Sequence, residues 1–439
     1  MTWALDFDAG AWDPVVRIVP FLLGLFLLLS AALSIVRTLV IPRMSISWIF
    51  AVVIRGTDAV FWLVARLLRG FSARDRLLAW SGPIGIMVAL VVWLALFLCG
   101  YTLIIFGISD SSLNQSALQA GSGLLTLGIV GTPSDDVTVV DFIAAMTGPA
   151  VIALLIGFLP TLYTSYLSRE SRVLLEAGLS GAPEWGPEMI ARVQLLKGDD
   201  DLAELFSEWI PWIANVRLTQ TVYPSLSRFR SSVGTRNWLI ALLSLLDAAT
   251  LRIALRTTPP DPRTVAMLQQ GVQAILTIDA AEIGIDSAIR FRPWERRIQN
   301  TLGVFGVSPH DSATSDTRKR VMLYLPPGME AVAEAVTIDA LGGRLPQTRD
   351  VFLRYESRES TLTREEFDQA LDYLRTAGVA IERSDDEAFA IFRHVRGRYE
   401  SAAYHLAQRF YLTPAPWSGP RHPAVPVVWP TLAAKLQQP

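Results

Sequence analysis

The chain has 439 residues, of which 51% are hydrophobic and only 18% are charged, and its mean hydropathy is +0.35. Soluble domains carry more charge than that, so part of the chain belongs in lipid. A formal net charge of −2 speaks against a broad nucleic-acid surface, and a lone cysteine, Cys99, leaves neither a disulfide framework nor a cysteine metal site.

Residues 1–18 carry Asp6, Asp8 and Asp13 against Arg17 and read as an extracytoplasmic N-terminus. The apolar run 19–41 is long enough to cross a bilayer at about 1.5 Å per residue. Its acidic flank and its length separate it from a secretory signal. Residues 42–76 follow, with Arg43, Arg55, Arg66, Arg69, Arg74 and Arg76 against Asp58 and Asp75. The positive-inside rule assigns this stretch to the cytoplasm. Within it, 45–68 reads either as a further span or as a helix lying at the cytoplasmic interface. A span would put Arg55 and Asp58 near mid-bilayer, each at a cost of about 2.5 kcal/mol or more. The interfacial reading is preferred, with Trp48 and Trp62 at headgroup level.

Residues 77–172 form a module of their own. A second span is expected at 80–108 and a third at 137–167. No Lys or Arg occurs from 77 to 168, and the only charges there are Asp110, Asp135, Asp136 and Asp141. Arg169 and Arg172 close the third span. The topology is then three spans, N-terminus outside and C-terminus in the cytoplasm.

Beyond 172 the pattern is that of a helical, charged region. The expected divisions are a cytoplasmic helical region at 173–307, a polar linker at 308–316, a second helical region at 317–412 and a Pro-rich tail at 413–439. The apolar stretch 237–255 contains Asp247 and Arg252 and reads as a buried core helix rather than a fourth span. Thr363-x-x-Glu366 is a capping box that opens a helix ending at Gly378. Ser384-x-x-Glu387 opens another, expected to continue through Phe392, Tyr399 and Leu406 to Phe410.

The segment between the second and third spans is where chemistry is sought. Residues 113–125 have a helical, nearly uncharged pattern, long enough to reach about half the bilayer depth and stop. Thr126, Leu127, Gly128, Ile129, Val130 and Gly131 would then return as extended backbone, with carbonyls able to replace a cation's hydration shell. Asp135 and Asp136 would stand at the outer mouth. The competing reading is an external loop of modest polarity, in which TPSDD is an ordinary solvated turn. In the third span, Gly148-Pro149, Gly157 and Pro160 predict kinks near Ala145 and Ile156. These read as hinges of an inner gate or as the Gly and Pro common in membrane helices.

Helix, short helix, a T-x-G turn, an acidic mouth and a second helix resemble the two-helix pore-loop module of potassium channels. The family's filter reads T-V-G-Y-G-D. Thr126, Leu127 and Gly128 match its first three positions, whereas Ile129, Val130 and Gly131 depart from the rest. The resemblance covers about residues 80–172. Segments 223–249 and 415–417 resemble uncharacterised, channel-like actinobacterial membrane proteins. The resemblance implies an all-α membrane protein: three transmembrane helices, a re-entrant pore helix and loop, and a mainly α-helical cytoplasmic C-terminal domain. It implies a multi-pass protein of the bacterial inner membrane and a homo-oligomer, tetrameric if a pore. The transported species would be a monovalent cation such as K+. The alternative is a non-conducting, membrane-anchored sensor or scaffold.

Other signals are poor. Arg290, Arg292, Arg296 and Arg297 around Trp294 could hold phosphate or form a solvated helix face. Asp199 to Asp201 lacks partners at ligand spacing and reads as a helix start. His310, His394, His405 and His422 make no metal pair. Without a phosphate-binding glycine motif or a catalytic set, neither an enzyme nor a cofactor is expected.

Overall fold

The computed structural model describes residues 14–41, 47–130, 135–181, 183–196, 201–232, 234, 236–289 and 359–419. All regular structure among them is helical. The chain divides into two compact units, residues 1–172 with 218–234, and residues 173–217 with 235–439. Among the described residues, five helices are long and apolar enough to cross a membrane. In the last of them, Trp238–Leu255, 89% of the apolar window is covered by protein, against 22–44% in the other four, as in a buried core helix.

In the first unit, α1 (Pro14–Ile35) continues through a wider turn, Val36–Val40. It is followed by α2 (Trp48–Leu67), α3 (Phe71–Leu78), α4 (Ser81–Ile108), α5 (Leu113–Leu124) and α6 (Asp135–Ser180). Residues of α6 from Val173 on belong to the second unit. The helices α1 and α4 lie antiparallel and in close contact. Gly107 meets the Arg17 carbonyl, and a Cβ on Gly24 would stand 2.6 Å from the Gly100 carbonyl oxygen. Further along, the Trp93 indole donates to Ser34 Oγ at 3.0 Å, and Ser47 Oγ donates to the same atom at 2.8 Å. The outward side chains of α1 (Leu22, Leu23, Phe26, Leu29) are exposed and apolar, as lipid-facing residues are.

The sequence reading prefers an interfacial helix at 45–68, with a span as the alternative. In the structure its first half lies along α4. Phe50 stacks on Trp93 at 6.1 Å, and Ile54 packs over Gly85, where a Cβ would stand 2.9 Å from its Cδ1. Small residues on α4 make that lengthwise contact available. The second half ends among charges, because Arg228 donates to Asp58 at 2.9 Å.

Arg228 belongs to a segment, residues 223–230, that closes one end of this unit. Arg169 is fully buried there and donates to the carbonyls of Leu226 (3.1 Å) and Phe229 (2.7 Å) while pairing with Glu170. Arg230 pairs with Asp75, and the Tyr166 hydroxyl donates to the Arg230 carbonyl at 3.1 Å. A buried guanidinium held by one carboxylate and two carbonyls keeps its charge satisfied out of water. Leu226 completes the apolar layer with Ile86, Leu155, Phe158 and Leu162.

The second unit is built around α9 (Trp238–Leu255), whose Asn237 cap accepts from the Leu239 amide at 2.8 Å. Around it lie α7 (Gly186–Leu196), the residues of α8 (Asp201–Val222) up to Arg217, and α10 (Pro262–Ile289). They are joined by α11 (Arg364–Thr376), α12 (Asp385–Arg396) and α13 (Glu400–Arg409). Thr363 and Glu366 form the expected capping box, and Ser384 caps α12. The single helix expected from 385 to 410 is two, broken at Gly397–Tyr399. The break turns the Tyr399 hydroxyl onto Asp247 (2.8 Å) and leaves Arg396 wholly buried between Asp247 (2.9 Å), Glu400 and the Trp417 carbonyl. The rings of Phe392, Tyr404 and Trp417 surround that guanidinium. These contacts outweigh one more turn of helix. The expected linker at 308–316, Arg290, Arg292, Trp294, Arg296, Arg297, Asp199, His310, His422 and most of the Pro-rich tail lie outside the described residues.

Candidate functional site

The site is built on α5. Its sequence, LNQSALQAGSGL, has a polar start and small residues toward its end. Ser112 caps it, and Gln115 returns the bond from its side chain to the Ser112 amide at 3.2 Å. The small residues then permit close packing on both neighbours. Gly121 faces Leu98 on α4, and Gly123 faces Asp141 and Ala144 on α6. A Cβ on Gly148 would fall 1.9 Å from the Leu124 carbonyl oxygen, so α6 touches the very end of α5. Leu98 is ten residues back from the end of α4, and Gly148 is thirteen in from the start of α6. At helical rise those distances are about 15 and about 20 Å. Hence α5 runs back between its two long neighbours and stops well down their length.

Polar contacts fix it there. The Gln119 amide donates to the Asp141 carboxylate, and Tyr101 and Thr147 hydroxyls meet at 2.7 Å between α4 and α6. The helix then ends in a Schellman turn. Thr126 N–H donates to the Gly123 carbonyl (2.9 Å) and Leu127 N–H to the Ser122 carbonyl (2.8 Å). That turn needs a left-handed residue, and Thr126 supplies it at φ 55°. A β-branched residue there is strained. The chain continues around the Ser122 hydroxyl oxygen, which accepts from Ile129 N–H (3.0 Å) and Val130 N–H (3.3 Å). Gly128, at φ 64°, makes the bend between them.

Five of the six predicted residues, Thr126, Leu127, Gly128, Ile129 and Val130, therefore share one compact turn hung on Ser122. Val130 does not adopt a left-handed conformation, so the strained position is Thr126. Among the described residues, none donates a hydrogen bond to the carbonyls of 126–130. Four amides of the turn, those of Thr126, Leu127, Ile129 and Val130, are bonded back to α5. The side chains of Leu125, Leu127 and Ile129 are 52%, 56% and 75% exposed, an apolar cluster at the tip of the turn.

Gly131 and the side chains of Asp135 and Asp136 lie outside the described residues, although Asp135 begins α6. Of the hinge candidates, Gly148 has a packing role against α5. Pro149 and Pro160 lie within one continuous helix of 46 residues. Gly157 has open space where a Cβ would go. It lines an apolar groove of about 620 Å³ with Leu39, Phe158, Thr161 and Tyr223. The sequence reading missed Ser122, Gln119 and the partnership of Asp141. The Ser112-x-x-Gln115 box was visible and would have placed the start of α5, but nothing local marks Ser122 as the hub. No group of three or more His, Cys, Asp or Glu suited to a metal occurs among the described residues. No protein-family model, curated protein or solved structure matches the chain.

Proposed function

We propose that α4, α5 and α6 form the pore module of a cation channel, assembled from several copies of this chain, four by the simplest symmetry. In this reading the protein is a multi-pass protein of the bacterial inner membrane. The helices α1, α4 and α6 span, and α5 re-enters from the outer side. The turn after α5 carries the proposal: amides bonded back to the helix, carbonyls without a donor among the described residues, and a strained Thr126 at the end of a helix packed on two long apolar ones. Backbone of this kind is tolerated at membrane depth only where protein encloses it or it lines water. A reach of about 15–20 Å is roughly half of a ~30 Å hydrocarbon layer. Carbonyls on a shared axis can take the place of a cation's hydration shell. Strain at a functional turn is a common companion of such a role.

The exposed Leu125, Leu127, Ile129, Phe142, Ile143 and Met146 would be covered by neighbouring copies. Asp135 and Asp136 would ring the outer mouth and gather cations. With Ile129-Val130-Gly131 in place of Y-G-D, the constriction takes a shape other than the potassium family's, and K+ is one candidate ion among the monovalent cations. The first half of α2 would insert from the inner side, with Asp58 at the level of Arg228.

The test is flux through the full-length protein reconstituted in liposomes, together with cysteine labelling in a Cys99→Ser background. The expected result is cation flux that Gly128→Leu abolishes, with positions 116–126 shielded from an external impermeant reagent. Uniform external labelling of 113–130 would sink the re-entrant reading. Shielding without flux under any tested ion would leave a membrane-anchored sensor or scaffold.

A further inference from the structure

The second unit buries a charge cluster that the pore reading does not use. Glu176 lies near the end of α6, Glu184 in the turn between α6 and α7, and Arg236 just before α9. Glu176 is fully buried and Glu184 is 1% exposed. One Glu176 oxygen accepts from the Ser244 hydroxyl of α9, and its other oxygen has no hydrogen-bond partner. No other residue donates to either oxygen of Glu184, and the buried Nη1 of Arg236 makes no hydrogen bond. Arg236 is near enough to act through space on both carboxylates. The geometry of the turn brings these groups together, because Gly186 packs so closely on α9 that a Cβ there would stand 2.9 Å from the Ser244 carbonyl oxygen.

The surrounding charges are already matched. On α7, Glu188 is held by Arg192 at 2.7 Å and by the Tyr373 hydroxyl of α11 at 2.7 Å. On α9, Asp247 is held by Arg396 of α12. What remains is two carboxylates and one guanidinium, an excess of one negative charge if all are ionised. A buried carboxylate with unbonded oxygens is costly, and one proton removes the cost.

We propose that this cluster is a proton-binding site, in which the Glu184 carboxylate takes up one H+ to become a neutral carboxylic acid beside Glu176 and Arg236. The step forms one O–H bond and breaks none in the protein, with solvent as proton donor. It makes the 180–186 turn, where α6 gives way to α7, sensitive to pH. Burial pushes Glu184 from an ordinary 4.5 up to about 7, with its own backbone amide and Arg236 pulling the other way, while burial and then the Glu184 charge push Glu176 well above the ordinary value. Proton binding by the folded chain is then about 300-fold tighter than by the unfolded one. The folded state binds more protons between these two values, so stability falls as pH rises from 4.5 to about 7 and is level above that. The inference does not rest on the pore, and its test requires no flux.

The experiment uses the full chain in detergent and reads two signals against pH: thermal unfolding, and the infrared carbonyl band of protonated carboxyl groups. Wild type should lose one protonated-carboxyl band with a midpoint near 7. Glu184→Gln should remove that band and melt above wild type at about pH 8, where the wild-type site is charged. Arg236→Gln should move the midpoint up. A near-neutral band that survives Glu184→Gln, or no near-neutral band in wild type, overturns the proposal. If Glu184→Gln does not fold, an unmoved midpoint in Arg236→Gln does the same.

Discussion

Three helix ends among the described residues use the same turn with different residues. After α11, Gly378 N–H donates to the Arg375 carbonyl and Val379 N–H to the Leu374 carbonyl, both at 3.0 Å, with Gly378 at φ 75°. After α5 the same two bonds form with Thr126 in the left-handed place. The α13 helix ends likewise on Tyr411 at φ 50°. Only the α5 turn asks a β-branched side chain to adopt this conformation. A Cβ on Gly378 would meet nothing, and the turn is anchored by Ala377 and Val379 in the core. Around α5, Gly148 abuts the Leu124 carbonyl and Ser122 holds the following stretch of chain. The glycine turn is free of strain, whereas the threonine turn holds its strain against these contacts.

The largest expected break of this comparison is Gly148→Ala. Its Cβ would meet a backbone oxygen that cannot swing away, so the α5–α6 contact should open at a cost of about 3 kcal/mol. Gly157→Ala in the same helix meets nothing and should be neutral or stabilising by up to about 1 kcal/mol. Unfolding of the detergent-solubilised protein by added denaturing detergent compares the two; equal effects would return Gly148 to a hinge role. Next comes Gly378→Val, expected to lower the melting transition of the second unit by about 2 kcal/mol in stability, since a β-branched residue is strained at φ 75°. Should the variant melt as wild type does, the α11 end is held by something other than its glycine.

Ser122→Ala removes the acceptor for two amides and should cost about 1–2 kcal/mol. It should also expose residues 128–130 to cysteine reagents, and unchanged labelling would deny Ser122 its place as hub. The smallest effect is that of Thr126→Gly. Relief of about 1 kcal/mol of left-handed strain is offset by a similar gain of freedom in the unfolded chain, so stability should hardly move. A loss well above 1 kcal/mol would mean that the threonine side chain, rather than its backbone, supports the turn.

Much of this frame was legible in the sequence. The ends of α4 and α5 fall within a residue of expectation because apolar runs, the charge-free interval and the glycines are all local signals. What was not legible depends on partners distant in the chain. The α6 helix runs on past Leu167, since Arg169, Glu170 and Arg172 end the apolar signal but favour helix as well as Leu does. The break at Gly397 follows from Asp247, some 150 residues earlier, which draws Arg396 and Tyr399 inward. Gly148 beside Pro149 looks like a hinge in one dimension, and only the packed structure reveals the carbonyl against it. The first half of α2 lies along α4 because Gly85 and Trp93 offer it a surface, which periodicity within α2 does not contain.

The segment that seals the charged end of the first unit has a consequence for how the chain is made. Asp58 is separated from its partner Arg228 by 170 residues, and Asp75 from Arg230 by 155. At a synthesis rate of about 5–20 residues per second, Arg228 leaves the ribosome roughly 10–30 s after Asp58. By the end of that interval α1 to α6 have been made, but two carboxylates, Asp58 on α2 and Asp75 on α3, have not met their arginines. Arg169 likewise awaits the carbonyls of Leu226 and Phe229. Maturation of this unit is therefore split in time: an early stage of apolar helix docking, complete before the later helices are translated, and a late stage in which one octapeptide arrives and neutralises what the first stage left charged.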